Sequence, residues 1–212
     1  LLTLPYSLPP YFFSLGSKAS RRPSPNRFRD RTIREILFGL SLLESTAMTG
    51  ALLHVVFHAV IKACLFLSAG AIIYKTHKTR VEELRGIGKE MPITIWCYTF
   101  ASAALIGIPP ASGFISKWYL ATGALGSGIE IFSWMGPVVL LTSALLTAGY
   151  LLPITVNGFL PGADYAYSAL EKKEPNLTML MPLLILAALA VVLGIFPNPL
   201  TDYLTGIAAE LL

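Results

Sequence analysis

Charge is scarce in this sequence: 13% of its 212 residues are Asp, Glu, Lys or Arg, about half the ~25% of a soluble domain. With 54% hydrophobic residues and a mean hydropathy of +0.65, that shortage excludes a disordered chain and argues against a soluble globular domain. The net charge is only +4, and the apolar runs leave no large basic face, so a nucleic-acid binder is excluded. Cysteine is nearly absent. Cys64 and Cys97 sit in apolar runs with no C-x-x-C and no zinc spacing, which excludes a disulfide scaffold and a cysteine metal site. Internal repeats and strand-type alternation are also missing. What remains is an all-α, polytopic membrane protein.

A bilayer-crossing helix needs about 20 mostly apolar residues. Residues 49–74, 132–158 and 178–196 meet that need. Residues 92–127 do so with an interruption at Gly107-Ile108-Pro109-Pro110 and Gly113. A shorter apolar piece, about 33–47, reads as the remnant of a further span. The expectation is four full crossings, one of them broken, plus one partial element.

The basic residues predict the orientation. Lys18, Arg21, Arg22, Arg27, Arg29, Arg31 and Arg34 lie in the N-terminal tail. Lys75, Lys78, Arg80, Arg85 and Lys89 lie in the loop 75–91, and Lys172 and Lys173 in the loop 159–177. The opposite segments, 128–131 and 197–212 among them, carry none. By the positive-inside rule the tail and both basic loops are cytoplasmic, and the C-terminus is extracytoplasmic, in the cell (inner) membrane. Residues 1–35 form an atypical Arg/Pro-rich tail. Its apolar start is broken by Pro5, Pro9 and Pro10, and its charges follow the apolar region, unlike a signal peptide. A disordered arm is one reading of it. Residues 36–196 form the membrane domain, and 197–212 a short C-terminal segment.

The remaining cations carry the chemistry. An ionisable group inside a membrane costs about 2.5–3.5 kcal/mol on insertion scales and is a functional hypothesis by default. His54, His58 and Lys62 recur at every fourth residue, so they share one helical stripe with about 6 Å between neighbours. Lys62 falls near the middle of the bilayer. This is the layout of a proton relay. Zinc binding by the H-x-x-x-H pair is a rival, but Val55, Val56 and Phe57 intervene and no glutamate sits in the H-E-x-x-H position. Histidines hydrogen-bonding across helices are another rival.

Lys117 is the fourth candidate. Pro109 and Pro110 lack amide protons, and Gly113 tolerates a non-helical backbone. A discontinuous helix is expected, with halves at about 92–107 and 112–127, and Lys117 one turn beyond the break. Such breaks mark ion sites. The alternative is a proline kink with Lys117 snorkelling to the interface beside Trp118 and Tyr119. The four spans contain no Asp or Glu, so the lysines are either neutral for part of a cycle or paired with charges from elsewhere. Glu44 is the nearby acid expected from the chain order.

Three stretches, in order, carry a resemblance. They are His54 through Gly70 (His-Val-Val-Phe-His-Ala-Val-Ile-Lys-Ala-Cys-Leu-Phe-Leu-Ser-Ala-Gly), Leu84 through Pro92 (Leu-Arg-Gly-Ile-Gly-Lys-Glu-Met-Pro) and Gly107 through Leu120 (Gly-Ile-Pro-Pro-Ala-Ser-Gly-Phe-Ile-Ser-Lys-Trp-Tyr-Leu). From about Ile36 to Phe196 the chain resembles the antiporter-like membrane subunits shared by respiratory complex I (NADH:quinone oxidoreductase) and Mrp-type cation/proton antiporters. The Ser-Lys-Trp-Tyr-Leu ending is more similar to the Mrp D-type branch. The resemblance implies two inverted repeats and a row of charged residues along the membrane midplane. In that pattern Lys62, with His54 and His58, relays protons along the central axis, and Lys117 gates their release toward the outside.

The first repeat of the family, with its glutamate–lysine pair, has no counterpart here. A gene fragment, or a frame disruption near residue 35, is therefore expected, and with it an incomplete proton path in the isolated chain. The function expected is that of part of a proton-translocating subunit, either in cation/proton antiport or in oxidoreductase-type pumping. The alternative is a structural membrane scaffold. No cofactor, metal or redox centre is expected in this chain. Its expected partners are other subunits of an Mrp-type or complex I-like assembly, H⁺ with Na⁺ or K⁺, and lipid, but not nucleic acid.

Overall fold

The computed structural model describes residues 26–162 and 173–212, with side chains described from residue 33. Residues 1–25, the greater part of the expected tail, and most of the loop 159–177 lie outside the described residues. Among the described residues, eight α-helices follow in order: α1 (Asn26–Ser41), α2 (Ser45–Thr76), α3 (Ile87–Glu90), α4 (Pro92–Ile106), α5 (Ser112–Gly126), α6 (Glu130–Phe159), α7 (Leu177–Ile195) and α8 (Asn198–Leu211). A short 3₁₀ turn, Val81–Leu84, precedes α3. Among the described residues there is no strand.

The short apolar piece expected at 33–47 is divided differently. Leu43 takes a left-handed conformation (φ 47°), which ends α1. Glu44 then caps α2, its carboxylate accepting from the Ala47 N–H at 2.8 Å. Ala47 therefore belongs to the next helix. Hydropathy averaged over a span does not register this turn, because Glu44, Ser45 and Thr46 are a short polar step between apolar segments.

The helix α2 is the axis of the bundle. Its 32 residues extend about 48 Å at 1.5 Å per residue, more than the ~30 Å hydrocarbon core of a bilayer. It ends where His77 turns left-handed and its N–H closes on the Ile73 carbonyl. Among the described residues, three helices, α2, α6 and α7, are long and apolar enough to cross a membrane, and α4 is a shorter apolar helix. The outer faces of α6 and α7 expose Trp134, Leu141, Leu145 and Ile185. The inward faces bury Leu53, Phe57, Ile61, Ile95 and Leu183 in one core.

The expected break is present. The helix α4 stops at Gly107, whose left-handed φ of 95° lets its N–H bond the Ala103 carbonyl. The helix α5 restarts at Ser112. Both halves run antiparallel along α2. Cys97 meets Cys64, Gly113 meets Ile61, Leu120 meets Gly50 and Gly123 meets Ala47. The two halves overlap by about a turn, since Gly113 lies against the Ala104 carbonyl. Lipid is as apolar as a leucine side chain, so close helix contact rests on small residues. A Cβ at Gly50 would come within 2.7 Å of the Leu120 nitrogen, and one at Gly136 within 2.6 Å of the Ala124 Cβ.

The loop end opposite the break is tied by polar contacts. Glu174, just before α7, caps α4 from outside the helix. It accepts from Ile93 N at 2.6 Å and from Thr94 Oγ1 at 2.8 Å. Arg85 donates to the Pro161 carbonyl at 2.6 Å, and Lys78 pairs with Glu90 at 3.0 Å.

Candidate functional site

The stripe expected on α2 is formed. The His54 and His58 rings are 5.5 Å apart between centroids, the separation that a four-residue step along one helix face gives. Lys62 follows one turn further, half-buried and close to the midpoint of α2. It lies within electrostatic reach of His58.

Lys117 joins this group from α5. Its ammonium donates to the Leu105 carbonyl at 3.1 Å and to the Ile106 carbonyl at 2.9 Å. These are carbonyls of the last turn of α4, which the break leaves without intrahelical partners. A cation there also meets the negative end of the α4 dipole. The side chain lies over Gly107, where a Cβ would be 3.2 Å from Lys117 Cδ. The helix break therefore builds the seat for Lys117. Lys117 is also within electrostatic reach of His54 and His58. Of the predicted helix-break residues, Gly107 and Gly113 make close contacts, and Pro109 and Pro110 form the turn between the halves.

One acid was missed. Glu44, the expected neighbour, is occupied in capping α2. The carboxylate at the site is Glu35 of α1, which is 9% exposed. Its Oε2 lies 3.2 Å from His54 Nε2, and its Oε1 accepts a hydrogen bond from Ser143 of α6. On the other side of the ring, His54 Nδ1 lies 3.1 Å from Ser116 Oγ of α5. Ser116 Oγ also donates to the Gly113 carbonyl at 3.2 Å. A polar chain thus links α6, α1, α2 and α5 through a histidine that is 5% exposed. Glu35 sits at the edge of the Arg/Pro-rich tail, where its charge reads as part of that tail. The signal that could have found it is its place one turn before Gly39 on the same face of α1, both buried.

Among the described residues, no group of three or more His, Cys, Asp or Glu side chains could hold a metal ion. Cys64 and Cys97 are free thiols in the core. The chemistry this site can support is proton transfer among imidazole, carboxylate, hydroxyl and amine groups.

Residues 35–147 match the family described as NADH:quinone oxidoreductase/Mrp antiporter, transmembrane. The chain is 38% identical over 171 residues to NADH-quinone oxidoreductase subunit N of Desulforudis audaxviator, covering 76% of this chain and 33% of that protein. It is 30% identical over 177 residues to a Na(+)/H(+) antiporter subunit of Alkalihalophilus pseudofirmus, covering 84% of this chain and 35% of that one. The chain thus spans about a third of the length of these curated relatives. Its fold is similar to a chain of the Mrp complex from Dietzia sp., with a TM-score of 0.70 at 24% identity, over 84% of this chain and 40% of that one.

Proposed function

The chain belongs to the NADH:quinone oxidoreductase/Mrp antiporter transmembrane family, and from that premise we propose that His54, His58, Lys62 and Lys117 relay protons through its membrane interior. The family consists of proton- and cation-translocating membrane subunits, and the chain is an integral, multi-pass membrane protein of that kind. One observation carries the finer reading. The Lys117 ammonium is held by the free carbonyls of a helix broken inside the bundle, within electrostatic reach of the two neighbouring histidines.

A row of exchangeable groups about 5–6 Å apart lets a proton pass from one to the next through single water molecules or side-chain rotation. Lys62 and the histidines carry it along α2. Lys117 controls its exit, because its seat at the α4 terminus favours a cation, and loss of the proton removes the charge that strengthens both bonds of that seat. The partners are other membrane subunits of an Mrp-type or complex I-like assembly, with Na⁺ or K⁺ as the counter-transported ion where the assembly is an antiporter. The basic loop 75–91 faces the cytoplasm.

Proton or cation/proton exchange measured in vesicles carrying the assembled complex tests this reading. Lys117→Ala and Lys62→Ala are each expected to lower exchange by about a hundredfold, within the range of a lost acid–base group. Wild-type exchange in both variants would leave only a packing role for the chain.

A further inference from the structure

We infer that Glu35 and His54 together form a proton-holding site and that the Ser116 hydroxyl is its latch, an assignment that rests on the transport reading above. The relay residues already named are all bases. Glu35 is the buried acid among them, and it is supplied by a helix outside the stripe.

The hydrogen-bond inventory leads to this assignment. Ser116 has one hydroxyl proton, and it is directed to the Gly113 carbonyl. The Ser116 oxygen can then only accept from the imidazole, so His54 Nδ1 carries a proton. On the opposite edge, Nε2 and Glu35 Oε2 are 3.2 Å apart, and one proton must lie between them. Either it is on nitrogen, giving imidazolium and carboxylate, or it is on oxygen, giving a neutral imidazole and a carboxylic acid. Both forms hold the same number of protons and have the same net charge. Ser143 donates to the other carboxyl oxygen in either form, so the carboxyl group keeps its orientation while the proton moves.

The unloaded form follows from one rotation. The Nδ1–H bond of the imidazolium breaks, and the proton passes to an acceptor, either a water or the His58 ring 5.5 Å away. The nitrogen lone pair left on Nδ1 then accepts the Ser116 hydroxyl, which turns away from the Gly113 carbonyl. Nε2 keeps its proton and donates it to the Glu35 carboxylate. One proton has left, and every polar atom of the pair still has a partner. Ser116 immediately precedes Lys117, and Gly113 lies in the first turn of α5, so the rotation changes the hydrogen bonding of the first turn of the half-helix that carries Lys117. Among the described residues, the charged and titratable groups within electrostatic reach of the pair are His58 on α2 and Lys117 on α5, with Lys62 in reach of His58. From α6 the pair receives the Ser143 hydroxyl.

Glu35→Gln in the assembled complex removes the exchangeable carboxyl but preserves the shape. Exchange is expected to fall at least about tenfold, and Glu35→Asp is expected to recover part of it. Infrared difference spectra between acid and alkaline pH should show in the wild type a protonated-carboxyl or an imidazolium band that is absent from or displaced in Glu35→Gln. Ser116→Ala should keep that band but displace the pH profile of exchange. Wild-type exchange and spectrum in Glu35→Gln would overturn the assignment. If Glu35→Gln does not assemble, absence of both a protonated-carboxyl and an imidazolium band in the wild type and in Glu35→Asp overturns it equally. Lys117→Ala is measured alongside. Loss there with full exchange in Glu35→Gln removes the pair and keeps the relay, whereas full exchange in both removes the two together.

Discussion

Gly113→Ala probes the crossing of the two half-helices, on which the seat of Lys117 depends. A Cβ at this position overlaps the Ala104 carbonyl oxygen and falls 3.0 Å from its carbonyl carbon. The obstacle is backbone, so no side-chain rotation relieves it. At interior packing density the halves must separate by about 1 Å. Overpacking of this kind costs about 1–3 kcal/mol. The Lys117 bonds, now 2.9 and 3.1 Å, would lengthen to about 4 Å, beyond hydrogen-bonding range. Each bond to a charged group contributes about 1.5–3 kcal/mol, so loss of one alone predicts a ten- to hundredfold fall in exchange. The matched control is Gly70→Ala on α2, where a Cβ meets nothing within 4 Å. That substitution should stabilise slightly, by about 0.5–1 kcal/mol, through helix propensity. Thermal unfolding of the purified assembly and exchange in vesicles measure both effects. If Gly113→Ala matches Gly70→Ala in melting temperature and exchange, the halves do not cross as described and the seat of Lys117 is lost with them.

Other outcomes are expected away from the break. Glu174→Ala removes the external cap of α4 and should destabilise by about 0.5–2 kcal/mol, lowering the melting temperature while vesicle exchange per assembled complex stays unchanged. Lys78→Cys should react with an impermeant thiol reagent only from the cytoplasmic side, and Ser127→Cys only from the opposite side. Cys64 and Cys97 are buried and give little background. Labelling at position 78 from outside would reverse the orientation.

The order of elements was legible along the chain because lipid imposes a simple rule: every backbone polar group must be satisfied within a helix. Hydropathy alone therefore located α2, α6 and α7. Pro109, Pro110 and the glycines around them located the break, since proline cannot donate to a helix and Gly107 can adopt the left-handed cap. The stripe of His54, His58 and Lys62 followed from helical spacing. The turn at Leu43 is not visible to span-length hydropathy, because its polar mark is only Glu44, Ser45 and Thr46 between longer apolar segments.

The partners of these groups came only from the tertiary structure. Glu35 is 19 positions before His54, on another helix, and its chemistry depends on a ring nitrogen, a hydroxyl from α6 and exclusion of water. The carbonyls that hold Lys117 bear no mark in the residue code, because every residue has one and only a helix end leaves it unpaired. Local pattern determines where a chain is helical and which face is polar. Which acid meets which base depends on how the helices cross, and that is set by the contacts of Gly50, Gly113 and Gly123 along α2.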